Sequence, residues 1–348
     1  METENPDLDV GQMIMVGFRG MSLEEMGPMA QEIETLNLGG VILFDYDVPR
    51  KEAVRNIDSP RQVEQLVAEV KRLTPWAPLL VAIDQEGGKV SRLKERFGFA
   101  PTVSAQVLGR MNDPDRTRKE AAQTARVLSG LGINMNFSPV VDLNVNPANP
   151  IIGKLERSFS HDPEIVVAHA AATIHGFHEY GILAVIKHFP GHGSSLADSH
   201  LGFTDVTETW SPRELIPFER LVGMGLPDGV MTAHIYNRDL DPEVPATLSH
   251  TVLQEMLRTE MGFEGVIITD DLQMGAIRDE FDFQETIRLA LEAGADILLF
   301  ANNSVYDPKV GSKAVEAIHA LVREGTVSRE RIEQSLDRIA ALKARINP

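Results

Sequence analysis

Short apolar runs alternate along the chain with longer stretches in which apolar residues recur at helical spacing. The runs are IMVGF (14–18), GGVILF (39–44), PLLVAID (78–84), INMNFSPVVDL (133–143), LAVIKHF (183–189), GVMTAHI (229–235), GVIITDD (265–271) and ADILLFA (295–301). Between them lie amphipathic segments such as PRQVEQLVAEVKRL (60–73), DRTRKEAAQTARVLSGLG (115–132) and PEIVVAHAAATIHGFHEYG (163–181). The last two close on a glycine, the residue suited to a helix C-terminus. Strands without polar alternation predict a parallel sheet covered on both faces. Eight of them alternating with helices predict an α/β protein with a (β/α)8 TIM-barrel fold; a doubly wound open sheet fits the same pattern. Nothing reads as a linker or a low-complexity tract, so residues 1–348 are expected to form a single domain.

In such a barrel the chemistry belongs at the C-terminal ends of the strands. Polar residues gather there: Asp84-Gln85-Glu86-Gly87-Gly88 after the third run, Asp142 after the fourth, Lys187-His188 in the fifth, His234 in the sixth and Asp270-Asp271 in the seventh. Any one of these has a structural reading, as a helix cap or a satisfied core group. Five together point to a pocket.

Composition narrows the partners. The formal net charge is −18 and no run of Lys or Arg stands out, which argues against nucleic acid and anionic membranes. No apolar run approaches the roughly 20 residues of a membrane span. The absence of cysteine excludes disulfides and thiolate chemistry. The acidic start METENPDLDV lacks the signature of a signal peptide, so a cytoplasmic location is expected if Met1 is the natural start.

The stretch VIKHFPGHGSSLADSHL (185–201) holds His188, His192 and His200, with Asp198 two residues before the last. His188 and His192 have the spacing that places two imidazoles on one helix face. Pro190, Gly191 and Gly193 speak against a helix there, and the chain contains no His-x-His. Neither a metal nor another cofactor is expected. Asp198-x-His200 instead suits a carboxylate that fixes one ring nitrogen of a histidine and raises the basicity of the other. Asp270 or Asp271 is available as a nucleophile; since side chains alternate along a strand, one of the two should face the pocket, and the sequence leaves open which. Lys187, Arg92 and Arg157 are candidate donors to ligand hydroxyl, amide or carboxylate groups. Gly87-Gly88 suits a sharp turn or close backbone approach to a ligand.

Taken together, GQMIMVGF, AIDQEGGKVSRL, NFSPVVDL, the Arg-Ser-Phe-Ser of ERSFSHDP, KHFPGHG, DSHLG and ITDDLQMGAI resemble the family 3 glycoside hydrolases, specifically the single-domain β-N-acetylglucosaminidase branch. The resemblance covers nearly the whole chain and implies a (β/α)8 barrel, a carbohydrate substrate with terminal β-linked GlcNAc, and a retaining double displacement. It implies Asp270 as the nucleophile, His200 paired with Asp198 as the acid/base, and Asp84, Arg92, Arg157, Lys187 and His188 as ligands of the sugar. His192 is expected to shape the loop, and Gly191, Gly193, Ser194 and Ser195 to let it move. The sequence departs from the family pattern in GHGSSLADSH and in a longer NPANPIIGKLERSFS, which bears on leaving-group preference. A phosphorylase or β-glucosidase of the same family, a metal-dependent amidohydrolase and a non-catalytic sugar-binding barrel are the competing readings.

Overall fold

The computed structural model describes residues 8–197 and 202–346. Among them eight strands, β1 (Ile14–Gly17), β2 (Gly40–Leu43), β3 (Leu80–Ile83), β4 (Met135–Asn136), β5 (Leu183–Phe189), β6 (Gly229–Thr232), β7 (Val266–Ile268) and β8 (Leu298–Phe300), fall one in each apolar run. Every pairing is parallel, in the order β7-β6-β5-β4-β3-β2-β1-β8. The ends of that row also meet. A parallel bridge joins Ile268 to Ile297, and the Thr269 N–H donates to the Ile297 carbonyl at 3.0 Å. Polar side chains complete this last seam: Thr269 Oγ1 accepts the Leu299 N–H (2.9 Å) and Asp271 Oδ1 the Ala301 N–H (3.0 Å). The sheet is therefore a barrel, not an open doubly wound sheet, and every residue of its strands is buried.

Helix boundaries follow local chemistry. Ser59, Asp113 and Asp162 cap the helices Pro60–Lys71, Pro114–Gly130 and Pro163–His178, accepting the amides of Gln62, Arg116 and Glu164. Proline occupies the first turn of each, where its missing N–H leaves no bond unmade. The last two helices end in paired bonds around Gly132 and Gly181, both at positive φ: Ile133 N–H to Leu128 with Gly132 N–H to Ser129, and Ile182 N–H to Phe177 with Gly181 N–H to His178. These are the two bonds of a Schellman ending.

The predicted fourth strand, 133–143, is where the structure differs most, because only two of its residues join the ladder. Asparagine side chains take over the pairing with β3. Asn134 accepts the Val81 N–H (2.7 Å) and donates to the Leu79 carbonyl (2.9 Å), while Asn136 accepts from and donates to Gln85 (3.0 and 2.9 Å). Pro139 then has no amide to offer. The segment rejoins β5 through a Val140–Lys187 bridge, with the Val141 N–H donating to the Lys187 carbonyl at 2.9 Å. That detour delivers Asp142 to the tip of β5.

At the opposite, N-terminal end of the barrel, buried Asp296 is the hub between β7 and the C-terminal helix Arg329–Lys343. Its Oδ2 accepts the Ile267 N–H (2.9 Å) and a bond from Arg258, and its Oδ1 accepts from Ser335 (2.7 Å) and Arg338 (3.2 Å). Removing it strands the buried Arg258 guanidinium. Asp296→Ala is therefore expected to lower unfolding stability by about 3–5 kcal/mol, read by denaturant titration; a loss under about 1 kcal/mol would contradict this role.

Candidate active site

Extended backbone puts alternate side chains on one side, and just past β3 this pairs Asp84 with Glu86. Gln85, between them, serves the backbone instead: its Oε1 accepts the amides of Arg92 (2.9 Å) and Leu93 (3.0 Å) and so folds the following loop back. Gly87 and Gly88, both at positive φ, make the turn. A methyl on Gly87 would stand 2.3 Å from the Val103 carbonyl oxygen, so the space as well as the dihedral demands glycine.

From these two carboxylates a chain of alternating charges runs across the mouth of the barrel. Arg92 donates to Asp84 Oδ2 (3.2 Å), Lys187 bridges Asp84 Oδ1 (2.7 Å) and Glu86 Oε1 (2.8 Å), and Arg157 grips Glu86 through two bonds of 2.7 Å. Arg157 Nη2 lies 3.3 Å from His188 Nε2, and His188 Nδ1 is 2.6 Å from Asp142 Oδ2. With Nδ1 protonated toward the carboxylate, Nε2 presents its lone pair to the guanidinium. Lys187, His188, Asp142 and Glu86 are buried, and Arg92 closes the chain at its more open end, 3.9 Å from buried Asp45. Asp45 at the tip of β2 also takes bonds from Lys94 and Arg96.

Burial alone pushes a carboxyl up. At Asp84 the charges of Lys187 and Arg92 outweigh it and hold the group well below the usual carboxylate range. At Glu86 burial is overcome by Arg157 and Lys187, which bring it to about 2. Asp142 is likewise lowered, burial being outweighed by His188. Arg157 rises, because Glu86 more than offsets its desolvation. The carboxylates Asp84, Glu86 and Asp142 thus stay ionised near neutrality beside Lys187, Arg92 and Arg157.

On the far side of the opening, the Asp270 N–H donates to Thr232 Oγ1 of β6 (3.2 Å) and its Oδ1 accepts the Asp271 N–H (2.8 Å). Asp271 is engaged in structure: its Oδ1 takes the amides of Gln273 (3.1 Å) and Ala301 (3.0 Å), and its carbonyl lies 2.9 Å from His234 Nε2. His234 meets Thr247 at 2.7 Å and, like Asp271, ties strand ends together. Asp271 braces β7 against β8, and both it and half-buried Asp270 line the cleft. That cleft, of about 540 Å³, also exposes Asp84, Glu86, Arg92, Arg157, Lys187, His188 and His192, with Phe44, Tyr46, Val48 and Met274 supplying apolar wall.

The loop after β5 corrects one expectation. Gly191, Gly193, Ser194 and Ser195 are buried and packed instead of forming a loose hinge. The His192 N–H donates to Asp142 Oδ1 (2.8 Å), those of Gly193 and Ser194 to Glu214 Oε2 (3.0 and 3.2 Å), and the Ser195 carbonyl accepts from Asn146 (3.1 Å). Gly193 is needed for close approach, since a methyl there would overlap the Leu143 carbonyl oxygen at 1.7 Å. His192 shapes this root as expected, and burial with neighbouring His188 pushes its imidazole down to about 4, so it is neutral near pH 7. Asp198 and His200, the expected acid/base pair, lie outside the described residues.

The sequence reading placed Asp84, Arg92, Arg157, Lys187, His188 and Asp270 at one site, and the structure brings them to one cleft. It counted Glu86 and Asp142 among the strand-end residues of the pocket without giving them a role, and passed over Asp45 and Glu214. Glu86 was within reach, because alternation from Asp84 marks it. Asp45 and Asp142 follow apolar runs, but a strand-end carboxylate alone does not announce its partners. Glu214 has no signal in SPRELIP beyond a helix start.

Residues 6–342 match the profile of the glycosyl hydrolase family 3 N-terminal domain. Among curated proteins the chain is 38% identical to a β-hexosaminidase of Alkalilimnicola ehrlichii over 85% of its own length and 82% of that protein's. It is 31% identical to β-hexosaminidase A of Pseudoalteromonas piscicida over 97% of its length, spanning 60% of that relative. Among solved structures, a family 3 β-N-acetylglucosaminidase from a Paenibacillus species superposes with a TM-score of 0.88 at 36% identity, covering 99% of this chain and 63% of that one. A β-N-acetylhexosaminidase from Beutenbergia cavernae gives 0.86 at 29% identity, covering 98% and 100%.

The depressed Glu86 carboxyl fixes a pH dependence. Its folded value of about 2 lies below the model-peptide value, so its stabilisation is complete above pH ~4.5 and is lost as pH falls toward 2. The shift corresponds to about 3 kcal/mol at most. Denaturant titrations at pH 3 and 7 are expected to show a smaller acid-induced loss in Glu86→Gln than in the wild type; an unchanged difference would refute the coupling.

Proposed function

The chain belongs to glycosyl hydrolase family 3, and from that premise we propose that its barrel is an exo-acting β-N-acetylglucosaminidase working by double displacement. The substrates are glycans, muropeptides among them, that end in β-linked GlcNAc, and the setting is cytoplasmic. The observation that carries the reading is the charge chain from Arg92 to Asp142. It holds cationic donors and carboxylate acceptors rigidly on one wall of a cleft, with Asp270 on the other. A pyranose with its hydroxyls and acetamido group needs donors and acceptors fixed at close spacing, with apolar wall for its ring faces.

In this reading Asp84 accepts from ring hydroxyls, while Arg92, Arg157 and Lys187 donate to hydroxyl and carbonyl oxygens, with His188 alongside. Lys187 and Arg157 are pinned by Glu86, so they meet the sugar without reorganising. Asp270 Oδ attacks the anomeric carbon as the bond to the leaving oxygen breaks, forming a glycosyl ester. His200, with Asp198 on its other ring nitrogen, gives its proton to the departing oxygen and then takes one from the water that cleaves the ester. Most retaining enzymes use a second carboxyl about 5 Å from the first for that task; here an imidazole does it. The bond from the Asp270 N–H to Thr232 and the bond its Oδ1 accepts from the Asp271 N–H hold this residue in place and support this role.

Release of p-nitrophenol from its β-GlcNAc and β-glucose glycosides, with and without phosphate, tests the proposal. The wild type is expected to prefer GlcNAc strongly, and Asp270→Asn to lose at least ~10³-fold in kcat, as removal of a nucleophile does. A variant that retains more than a tenth of wild-type turnover would exclude Asp270 as nucleophile. Acceleration by phosphate with sugar 1-phosphate as product would replace hydrolysis by phosphorolysis.

A further inference from the structure

The segment that carries Asp198 and His200 leaves β5 through a root whose three consecutive amides, those of His192, Gly193 and Ser194, all donate to buried carboxylates. Asp142 holds the first from the barrel side. Glu214, on the short turn Pro212–Leu215 that follows the segment, holds the other two. The loop is thus gripped at its exit by a side chain from its own return path. Two more contacts reinforce that closure. Trp210 Nε1 donates to the Pro190 carbonyl (3.1 Å), and a methyl on Gly191 would stand 2.6 Å from Glu214 Cβ, so the glutamate packs directly on the loop backbone.

Glu214 is a poor choice for stability alone. It is fully buried, no cation pairs with it among the described residues, and its Oε1 accepts no hydrogen bond. Burial, with the negative charge of Asp142 nearby, pushes its carboxyl up to about 7. An apolar or amide side chain would avoid that desolvation. What the carboxylate supplies is one oxygen, Oε2, that fixes two successive amides and so orients the chain beyond Ser194.

We propose that Glu214 is a positioning residue for the acid/base segment: by holding the Gly193 and Ser194 amides it sets the direction in which the chain runs on to Asp198 and His200. This rests on the reading of His200 as the acid/base. Glu214 touches no substrate; it acts through the loop, so its loss weakens proton delivery while leaving the sugar site and Asp270 intact.

Leaving-group dependence separates this role from general support of the fold. A dinitrophenyl group departs without a proton, whereas a phenyl group needs one, and kcat/KM reports the step in which the leaving group departs. Both β-GlcNAc glycosides are assayed with the wild type and with His200→Ala, Glu214→Ala, Glu214→Asp and Glu214→Gln. His200→Ala should lose at least ~100-fold more on the phenyl than on the dinitrophenyl substrate. An equal loss on the two would overturn the acid/base reading itself. With that reading standing, Glu214→Ala and Glu214→Asp should each lose roughly 10-fold more on the phenyl substrate, and Glu214→Gln, whose amide oxygen accepts both N–H groups, should recover to within roughly threefold of wild type. Should the alanine variant fail to fold, the aspartate variant, which keeps the charge but withdraws it by one methylene, carries the test. Losses that are equal on the two substrates, or absent, in the Glu214 variants while His200→Ala discriminates would refute the positioning role.

Discussion

Buried charge is tolerated only when it is paired, and pairing at this site takes the form of one unbroken chain. Arg92, Asp84, Lys187, Glu86, Arg157, His188 and Asp142 follow one another at 2.6–3.3 Å across the ends of β3, β4 and β5. No member can be removed without leaving a neighbour ionised in a water-poor environment. The chain therefore fixes the geometry of the cleft wall and keeps the carboxyls of Asp84, Glu86 and Asp142 ionised. It also explains the barrel's irregularities: the asparagine-mediated β4 and the detour through Pro139 bring Asp142 to the tip of β5, where the chain ends.

The same carboxylate that closes the chain begins the control of the next loop. Asp142 accepts from the His188 imidazole by one oxygen and from the His192 amide by the other, so the charge chain and the root of the loop after β5 share a fixed point. Glu214 extends that hold to the next two amides. On the opposite wall the adjacent aspartates Asp270 and Asp271 both line the opening, and Asp271 also serves the β7–β8 seam through its Oδ1. Barrel closure and the cleft thus share a residue, since Asp271, which serves the last seam, also donates its N–H to Asp270.

Much of this was legible in the sequence, for reasons that differ by element. Apolar runs located all eight strands, and β5 matched over 183–189 even though Lys187 and His188 lie within it. β4 was overextended, since asparagine side chains that mimic backbone pairing look like ordinary polar interruptions. Asp84, Arg92, Arg157, Lys187, His188 and Asp270 were readable from motifs. Which partners hold them was not, because Glu86–Arg157 and His188–Asp142 join residues 71 and 46 positions apart. Glycine misled in one place: Gly191 and Gly193 suggest mobility, whereas the structure uses them for close packing against Glu214 and the Leu143 carbonyl. Nothing in the composition of a helix-start segment marks Glu214 as the acceptor for that loop. Asp198 and His200, read from the sequence as the acid/base pair, fall outside the described residues.

The most direct measurement is to quench the protein during turnover of 2,4-dinitrophenyl β-GlcNAc, digest it and locate the covalent adduct by peptide mass spectrometry. The expected result is a single N-acetylglucosaminyl ester on Asp270, with Asp84, Glu86 and Asp142 unmodified because their oxygens are committed to the charge chain. An adduct on one of those three carboxylates, or on Asp271, would contradict the division of roles described here.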